Sequence, residues 1–247
     1  MLKNLNAYKL KCIAIIAMVL NHIVIAWWEI IPLWLAYPFY AAGGLTFPIM
    51  GFFVVEGYKH TRNLKRYVLR IVVTGLIALP FHYLTIGLAL EPSLNIMFTI
   101  ALSFGVLVMY DKIRSRILFG LIYVFLVVPI SLIFEWSFAG VSMVLLFHII
   151  KSEKKRRILP PVCAVLLSIL FFLIFLIPGV EIPEMKGIAV DPDFAAVSVT
   201  FILGMLLAPI LLLNFNGERG KETKWLFYVF YPAHLAVLAA VAIVLEL

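Results

Sequence analysis

The sequence predicts an all-α fold: a polytopic transmembrane helical bundle of about nine spans, N-terminus cytoplasmic and C-terminus external, with residues 1–247 forming a single integral-membrane domain. Three observations predict it. Apolar residues fill 64% of the chain and charged ones 13%, with a mean hydropathy of +1.10, against roughly 45–50% apolar and about 25% charged in a soluble domain. The apolar residues fall into runs of the length a bilayer demands. The charges fall between the runs and alternate in sign along the chain. Disorder is excluded, because it requires low hydrophobicity and high charge. Cys12 and Cys163, both inside apolar stretches, exclude a disulfide framework and a zinc knuckle. The net charge of +7 lies in short clusters rather than on one face, which favours a lipid bilayer over nucleic acid as the partner.

In order, the candidate spans are residues 9–29, 36–57, 66–87, 94–111, 116–134, 137–150, 158–177, 194–213 and 225–246, judged against the roughly 20 apolar residues that cross a core of about 30 Å. The first continues well past the roughly 7–15 apolar residues of a signal peptide, with no small-x-small site after it, and is therefore a helix. The second contains Gly43, Gly44 and Pro48, which break or kink a spanning helix and are tolerated where the freed backbone lines a cavity. The sixth is short and its outer boundary is soft. Charge alternation tests the count independently. Lys3, Lys9 and Lys11 open the chain; Lys59, Arg62, Lys65, Arg66 and Arg70 follow the second span; Lys112, Arg114 and Arg116 follow the fourth. Lys151, Lys154, Lys155, Arg156 and Arg157 follow the sixth, and Arg219, Lys221 and Lys224 the eighth. Of 20 basic residues only Lys186 falls on the other side, which instead holds Glu29, Glu91, Glu135, Glu181, Glu184, Asp191, Asp193 and Glu246. Basic loops face the cytoplasm, and no loop is long enough for a separate domain.

Chemistry must then reside in the bundle, and ionisable residues at membrane depth are its markers. A central charge costs about 2.5–3.5 kcal/mol on insertion scales and faces a cavity or a partner. Lys11 and His22 are eleven residues apart. At about 100° and 1.5 Å per residue they share one face to within roughly 20°, with His22 about 16 Å deeper. The plain alternatives are a snorkelling Lys11 and a His22 that hydrogen-bonds across the bundle beside Asn21. Glu56 reads as a functional carboxylate or as a boundary salt bridge to Lys59 or Arg62. Arg70 reads first as a snorkelling side chain, and His82, about 24 Å along its span, as a wet interface histidine. Tyr231 and His234 are neighbours at three residues' spacing beside Pro232, with His234 about 14 Å inside, too deep for an aromatic belt. His60 and His148 sit at or beyond the cytoplasmic boundary and call for no role. No GxxxxGK[ST], HExxH or G-x-S-x-G occurs, so nucleotide hydrolysis, zinc proteolysis and a serine-hydrolase elbow lack support. Histidines at depth act as bases near neutral pH, and a basic rim suits a phosphate-bearing donor from the cytoplasm. Together these suggest group transfer; the same residues would also suit a proton-coupled transporter.

Five stretches carry a resemblance: Leu10-Lys11 to His22-Ile23, Leu45-Thr46-Phe47-Pro48 through Glu56 to Asn63, Leu94 to Thr99, Trp136 to Val141, and Phe227 to Leu235. In this order they resemble the TraX family, membrane proteins named for acetylation of the pilin amino terminus in conjugation systems. The family is similar to the broader class of multi-helix membrane acyltransferases, whose first helix carries a basic residue and a histidine separated by ten residues. Lys11 and His22 keep that spacing, with Lys where the wider class has Arg.

The resemblance implies a multi-pass protein of the bacterial cytoplasmic (inner) membrane. It implies an acyltransferase using acetyl-CoA from the cytoplasm, without a metal, on an amine or hydroxyl acceptor such as a pilin-like protein. On that reading His22 is the general base, Tyr231 or Lys11 donates to the developing oxyanion, and His234 belongs to the same catalytic set. Lys59, Arg62, Arg66 and Arg70 are candidates for the CoA phosphates. One departure stands out: Asn21 replaces the family's usual Asp, and an amide carries no charge to stabilise an imidazolium. Glu56 is the nearest replacement if the second span packs on the first. Asn21 is also the main support for a third reading, a non-catalytic membrane assembly factor or chaperone for a pilin-like helix. The catalytic reading requires the His22 ring to be held dry, in line with Lys11 and open to the cytosol.

Overall fold

A computed structural model of the chain describes residues 4–87, 93–175, 192–221 and 224–245. Lys3, Glu91, Glu181, Glu184, Lys186, Asp191 and Glu246, all part of the charge alternation, lie outside the described residues. The order is α1 (Ala7–Ala26), α2 (Leu33–Gly43), α3 (Thr46–His60) and α4 (Leu64–His82), which runs into a π-helical turn at Tyr83–Gly87. Next come α5 (Ile96–Lys112), α6 (Arg116–Ile122), a second π-helical turn (Tyr123–Val127) and α7 (Val128–Ser131). The chain continues through α8 (Ser137–Ile149), α9 (Glu153–Phe175), α10 (Pro192–Leu213) and α11 (Lys224–Val244). Strand-like pairing among the described residues is limited to the isolated bridges Leu5–Phe215 and Leu94–Phe134.

Several helix starts are written locally. Asn6, Asn63, Asn95 and Ser115 accept from the backbone N–H groups of Lys9 (3.0 Å), Arg66 (2.9 Å), Met97 (3.1 Å) and Leu118 (3.2 Å). These bonds satisfy donors that a helix start otherwise leaves orphaned. Among the described residues, five stretches are long and apolar enough to cross a membrane: Ala7–Ala26, Leu33–His60, Leu64–Ile86, Pro192–Leu213 and Phe227–Val244. Arg116–Ser131 and Ser137–Ile149 are shorter apolar helices. The reading of nine spans is therefore wider than the set of long apolar helices, although each apolar run contains helix.

The second run breaks where the glycine pair predicts, and the reason is close packing as much as the kink. A Cβ on Gly43 would come within 2.5 Å of the Asn21 side chain in α1, and one on Gly44 within 2.0 Å of the Phe201 carbonyl oxygen in α10. Gly204 of α10 reciprocates, since its Cβ would meet the Ala41 carbonyl oxygen at 1.9 Å. Small residues thus let α2 pack against both α1 and α10. Pro48 falls in the first turn of α3, where its missing N–H is no loss.

The main core gathers Phe47, Phe52, Phe104, Phe147, Leu107 and Met143 where α3, α5 and α8 meet. Outward faces are apolar too: Ile117, Phe125, Leu166, Val199 and Val237 are all exposed, a surface that lipid would solvate. Three helices, α1, α4 and α11, run in the same direction and carry the buried histidines. Near their starts, Lys11 meets Phe227 and Arg70 meets Tyr228. Further along, His22, His82 and His234 come together. The first level is the basic end of the bundle.

Candidate functional site

The histidine level is built from residues 212 apart in sequence. His22 Nδ1 and His234 Nε2 are 2.9 Å apart, with the rings stacked at 5.1 Å and 14°. Both are buried, at 3% and 7% exposure. His234 Nδ1 lies 3.1 Å from the Phe230 carbonyl oxygen. A carbonyl only accepts, so the network assigns the His234 proton to Nδ1 and a lone pair to Nε2. His22 must then donate from Nδ1, which leaves its own lone pair on Nε2. One imidazole therefore orients the other, the service a carboxylate renders in Asp–His pairs.

His22 lines a cavity whose walls also include Asn21, Gly43, Phe47, Glu135 and Trp136. About 80 Å³ of it is open to water-sized groups. A single water needs roughly 10–15 Å³ of such space, so the cavity takes a group of a few heavy atoms rather than a whole cofactor. Buried polar groups are normally hydrogen-bonded, yet several around this level are not. Asn21 Nδ2 has no partner among the described residues, and the His82 ring nitrogens and the Tyr231 hydroxyl make no well-formed hydrogen bond there, lying only near the Ser93 and Ile96 backbone. His82 is fully buried, which corrects its reading as a wet interface histidine: α4 continues into its π-helical turn and packs the ring inward. Tyr231, 2% exposed, sets its ring 5.5 Å from that of His234.

Glu135, read from sequence only as a topology charge, is the one charged residue in the cavity wall among the described residues. Its Oε2 accepts from the Ile96 N–H at 2.8 Å, and its own N–H donates to the Leu94 carbonyl at 2.9 Å. These bonds tie the α7–α8 connection to the start of α5, while Oε1 makes no hydrogen bond among the described residues. Burial pushes the carboxyl up to about 7. Trp136 stacks on Phe47 at 4.4 Å and 20°; Gly140 permits this, because a Cβ there would come within 2.6 Å of Trp136 Cβ. Ser137 follows at φ +43°, a left-handed conformation that costs a side-chain residue of order 1–3 kcal/mol and clusters at functional sites.

Other expected residues lie at the basic end. Lys11 is outside the cavity, its Nζ over the rings of Phe53 (5.1 Å) and Phe227 (5.3 Å). Because α1 is continuous, about 16 Å of helix separates it from His22. Lys11 is thus too far to donate to an oxyanion formed beside His22, whereas Tyr231 stands next to the pair. Glu56 does not approach His22 either: its main partner is Arg156, which neither sequence alternative named, with Lys59 at 3.8 Å and, among the described residues, no ion pair to Arg62. Arg70 sits over Tyr67 (5.6 Å) and Tyr228 (5.8 Å), its Nε buried without a partner. Arg62 and Arg66 are exposed. His148, assigned no role from sequence, has Nε2 2.8 Å from Asp111 Oδ1, while Tyr58 donates to Oδ2 at 2.7 Å. This clamp joins α3, α5 and α8.

Comparison with known proteins covers the same helices. The model of the TraX protein family matches residues 7–242. A curated relative, "Probable fimbrial assembly protein FimC, serogroup H1" from Dichelobacter nodosus, is 29% identical over 254 residues, covering 98% of this chain and 97% of its own. No solved structure matches. The family match includes both His22 and His234, and the chain is a membrane protein that belongs to the TraX family.

Proposed function

We propose that the protein is an integral-membrane acyltransferase that moves an acetyl group from acetyl-CoA to an amine or hydroxyl of a pilin-like acceptor. In this reading nine spans cross the bacterial inner membrane, with the N-terminus and basic end cytoplasmic and the C-terminus external. The observation that carries it is the His22–His234 pair, which leaves a lone pair on Nε2 of His22, a residue that lines a cavity of acetyl size. Lys11 and Arg70, cationic and held on aromatic faces instead of carboxylates, are suited to the donor's phosphates. The pantetheine arm would follow the Lys11–His22 stripe to present its thioester.

The attacking nitrogen or oxygen forms a bond to the acyl carbon and gives its proton to His22 Nε2. His234 Nε2 holds the resulting imidazolium by accepting from the His22 Nδ1–H. Tyr231 donates to the oxyanion. The C–S bond breaks as the carbonyl reforms, and the thiolate takes up the proton. The test is transfer of labelled acetyl groups from acetyl-CoA by the purified protein in detergent or liposomes. His22→Ala is expected to slow it about 10²–10⁴-fold; a near wild-type rate would remove His22 from the role.

A second reading is favoured by the name of the relative and by Asn21: a fimbrial assembly factor that binds a pilin-like helix without modifying it. It predicts binding of such a helix by the His22→Ala/His234→Ala double variant and no acetyl transfer by the wild type.

A further inference from the structure

The cavity wall has a chemical polarity that the proposed reaction leaves unused. It contains one carboxylate, Glu135, and no lysine or arginine among its lining residues. The neighbouring walls are aromatic faces: Trp136 stacked on Phe47, with Phe201 5.4 Å from Trp136. A carboxylate oxygen beside indole and phenyl faces is the recognition chemistry of a small cation. Neutral acyl groups and anionic phosphates gain nothing from it. Glu135 commits only Oε2 to the Ile96 N–H, so Oε1 is available. The segment carrying it is fixed on both sides, by the Leu94 carbonyl and by the strained Ser137.

We propose that Glu135 is the positioning residue for the acceptor: it binds a primary ammonium group in the cavity and holds it toward His22, so that the site selects amines over hydroxyls. The inference rests on the acyl-transfer reading for its chemistry but not for its binding step. The ammonium docks on Glu135 Oε1 against the Trp136 face. One proton passes from it to His22 Nε2, giving a neutral amine and an imidazolium. The amine nitrogen bonds to the thioester carbon, the C–S bond breaks, and the second departing N–H proton goes to the thiolate. The products are the amide, the free thiol and one proton, released from His22. An ammonium beside Glu135 also favours the ionised carboxylate, so occupant and residue stabilise each other's charge.

The experiment compares three short apolar peptides of one sequence: one with a free amino terminus, one N-acetylated, and one ending in the corresponding hydroxy acid. Binding to the detergent-solubilised full chain is measured by calorimetry, and acetyl transfer is measured separately. The variant is Glu135→Gln, which keeps a carbonyl oxygen for the Ile96 N–H and so preserves the structural bond, with thermal unfolding as the check. The wild type is expected to bind the free-amino peptide at least about tenfold tighter than the other two, and Glu135→Gln to lose that preference. In transfer assays Glu135→Gln should raise KM for the amine about tenfold or more, leaving acetyl-CoA affinity unchanged and kcat within about threefold. Glu135→Asp should restore part of the preference. If the wild type binds the three peptides equally, or Glu135→Gln keeps the preference, Glu135 is only the tie at the start of α5 and the proposal falls. If the preference follows Glu135 and no acetyl group moves, the cation site stands and the acyltransferase reading falls.

Discussion

The two ends of the α1–α4–α11 triplet treat their polar groups differently. At the basic end the two buried arginines of α9 are held by carboxylates and carbonyls. Arg156 is 4% exposed and contacts Glu56, Glu153 (3.0 Å) and the Phe147 carbonyl (2.8 Å), with its guanidinium over Phe52. Arg157 donates to the carbonyls of Leu212 (3.2 Å) and Phe215 (3.1 Å). At the histidine level unsatisfied polar atoms are more numerous, on Asn21, His82 and Tyr231, although Arg70 Nε and Arg157 Nε are also buried without partners at the basic end. A satisfied buried charge is architecture; an unsatisfied buried polar atom beside a cavity is a place where something else binds or reacts. On the proposed reading, charge density marks the end away from the chemistry, and Lys11 and Arg70, which lie on aromatic faces without a carboxylate partner, are the cations set aside for the donor.

The largest expected effect is on stability and comes from the satisfied end. Arg156→Met leaves Glu56 without its main partner and should destabilise the protein by about 3 kcal/mol, the low end for a broken buried pair because Glu56 keeps contact with solvent and Lys59. Adding Glu56→Gln should recover part of the loss. Thermal unfolding in detergent reads both, and donor KM per folded molecule should not move. A shifted KM would mean that Arg156 touches the donor.

His234→Ala comes next, at about a 10²-fold loss of kcat, the lower part of what a general base contributes, with little change in either KM. The base remains, but its tautomer and angle are no longer fixed. His234→Gln, whose side-chain oxygen can accept from His22 Nδ1, should recover more of kcat than alanine does. Equal losses in the two variants would mean that His234 reacts directly instead of orienting His22.

How far these residues were readable in advance follows the same division. Lys11 and His22 sit on one helix, so their shared face follows from periodicity alone, and the structure has both meeting α11 along that stripe. The glycine pair likewise announced a break and a cavity wall, because backbone freedom is a local property. The Asn and Ser caps were local too. The partners of those residues were not. Nothing near Glu56 in sequence points to Arg156, 100 residues away, and nothing near Asn21 shows that His234 orients His22. Glu135 was hidden for a different reason: its charge agreed with the topology rule, and agreement with one rule masked a second role. Pairings between helices are decided by packing, which the pattern of a helix apolar on nearly all faces does not encode.

A smaller effect is expected from the free cations of the basic end. Arg70→Ala and Lys11→Ala should each raise the KM for acetyl-CoA about tenfold, equal to about 1.4 kcal/mol. That is the low end for a charge-assisted contact at a partly exposed site. Lys11→Arg should keep near wild-type KM, since either cation can face a phosphate from that position. An unchanged KM in both alanine variants would move the donor site elsewhere on the rim.

The smallest effects belong to the most conspicuous residues. Arg62 and Arg66 stand in the basic cluster that sequence reading assigns to the donor, yet both are exposed and neither forms an ion pair among the described residues. Exposed charges of this kind contribute about 0–1 kcal/mol to a contact. Lys59 differs only in a long ion pair to Glu56 at 3.8 Å, a carboxylate that it shares with Arg156. Alanine at Arg62 or Arg66 should change donor KM by less than about threefold at physiological salt. If instead either substitution matched Arg70→Ala, the phosphates would be held by the rim at large, and the distinction between satisfied and unsatisfied cations would lose its predictive use. A graded outcome, with Lys11 and Arg70 strong and Arg62 and Arg66 weak, arises only if aromatic faces keep a cation desolvated and available while bulk water screens the rest.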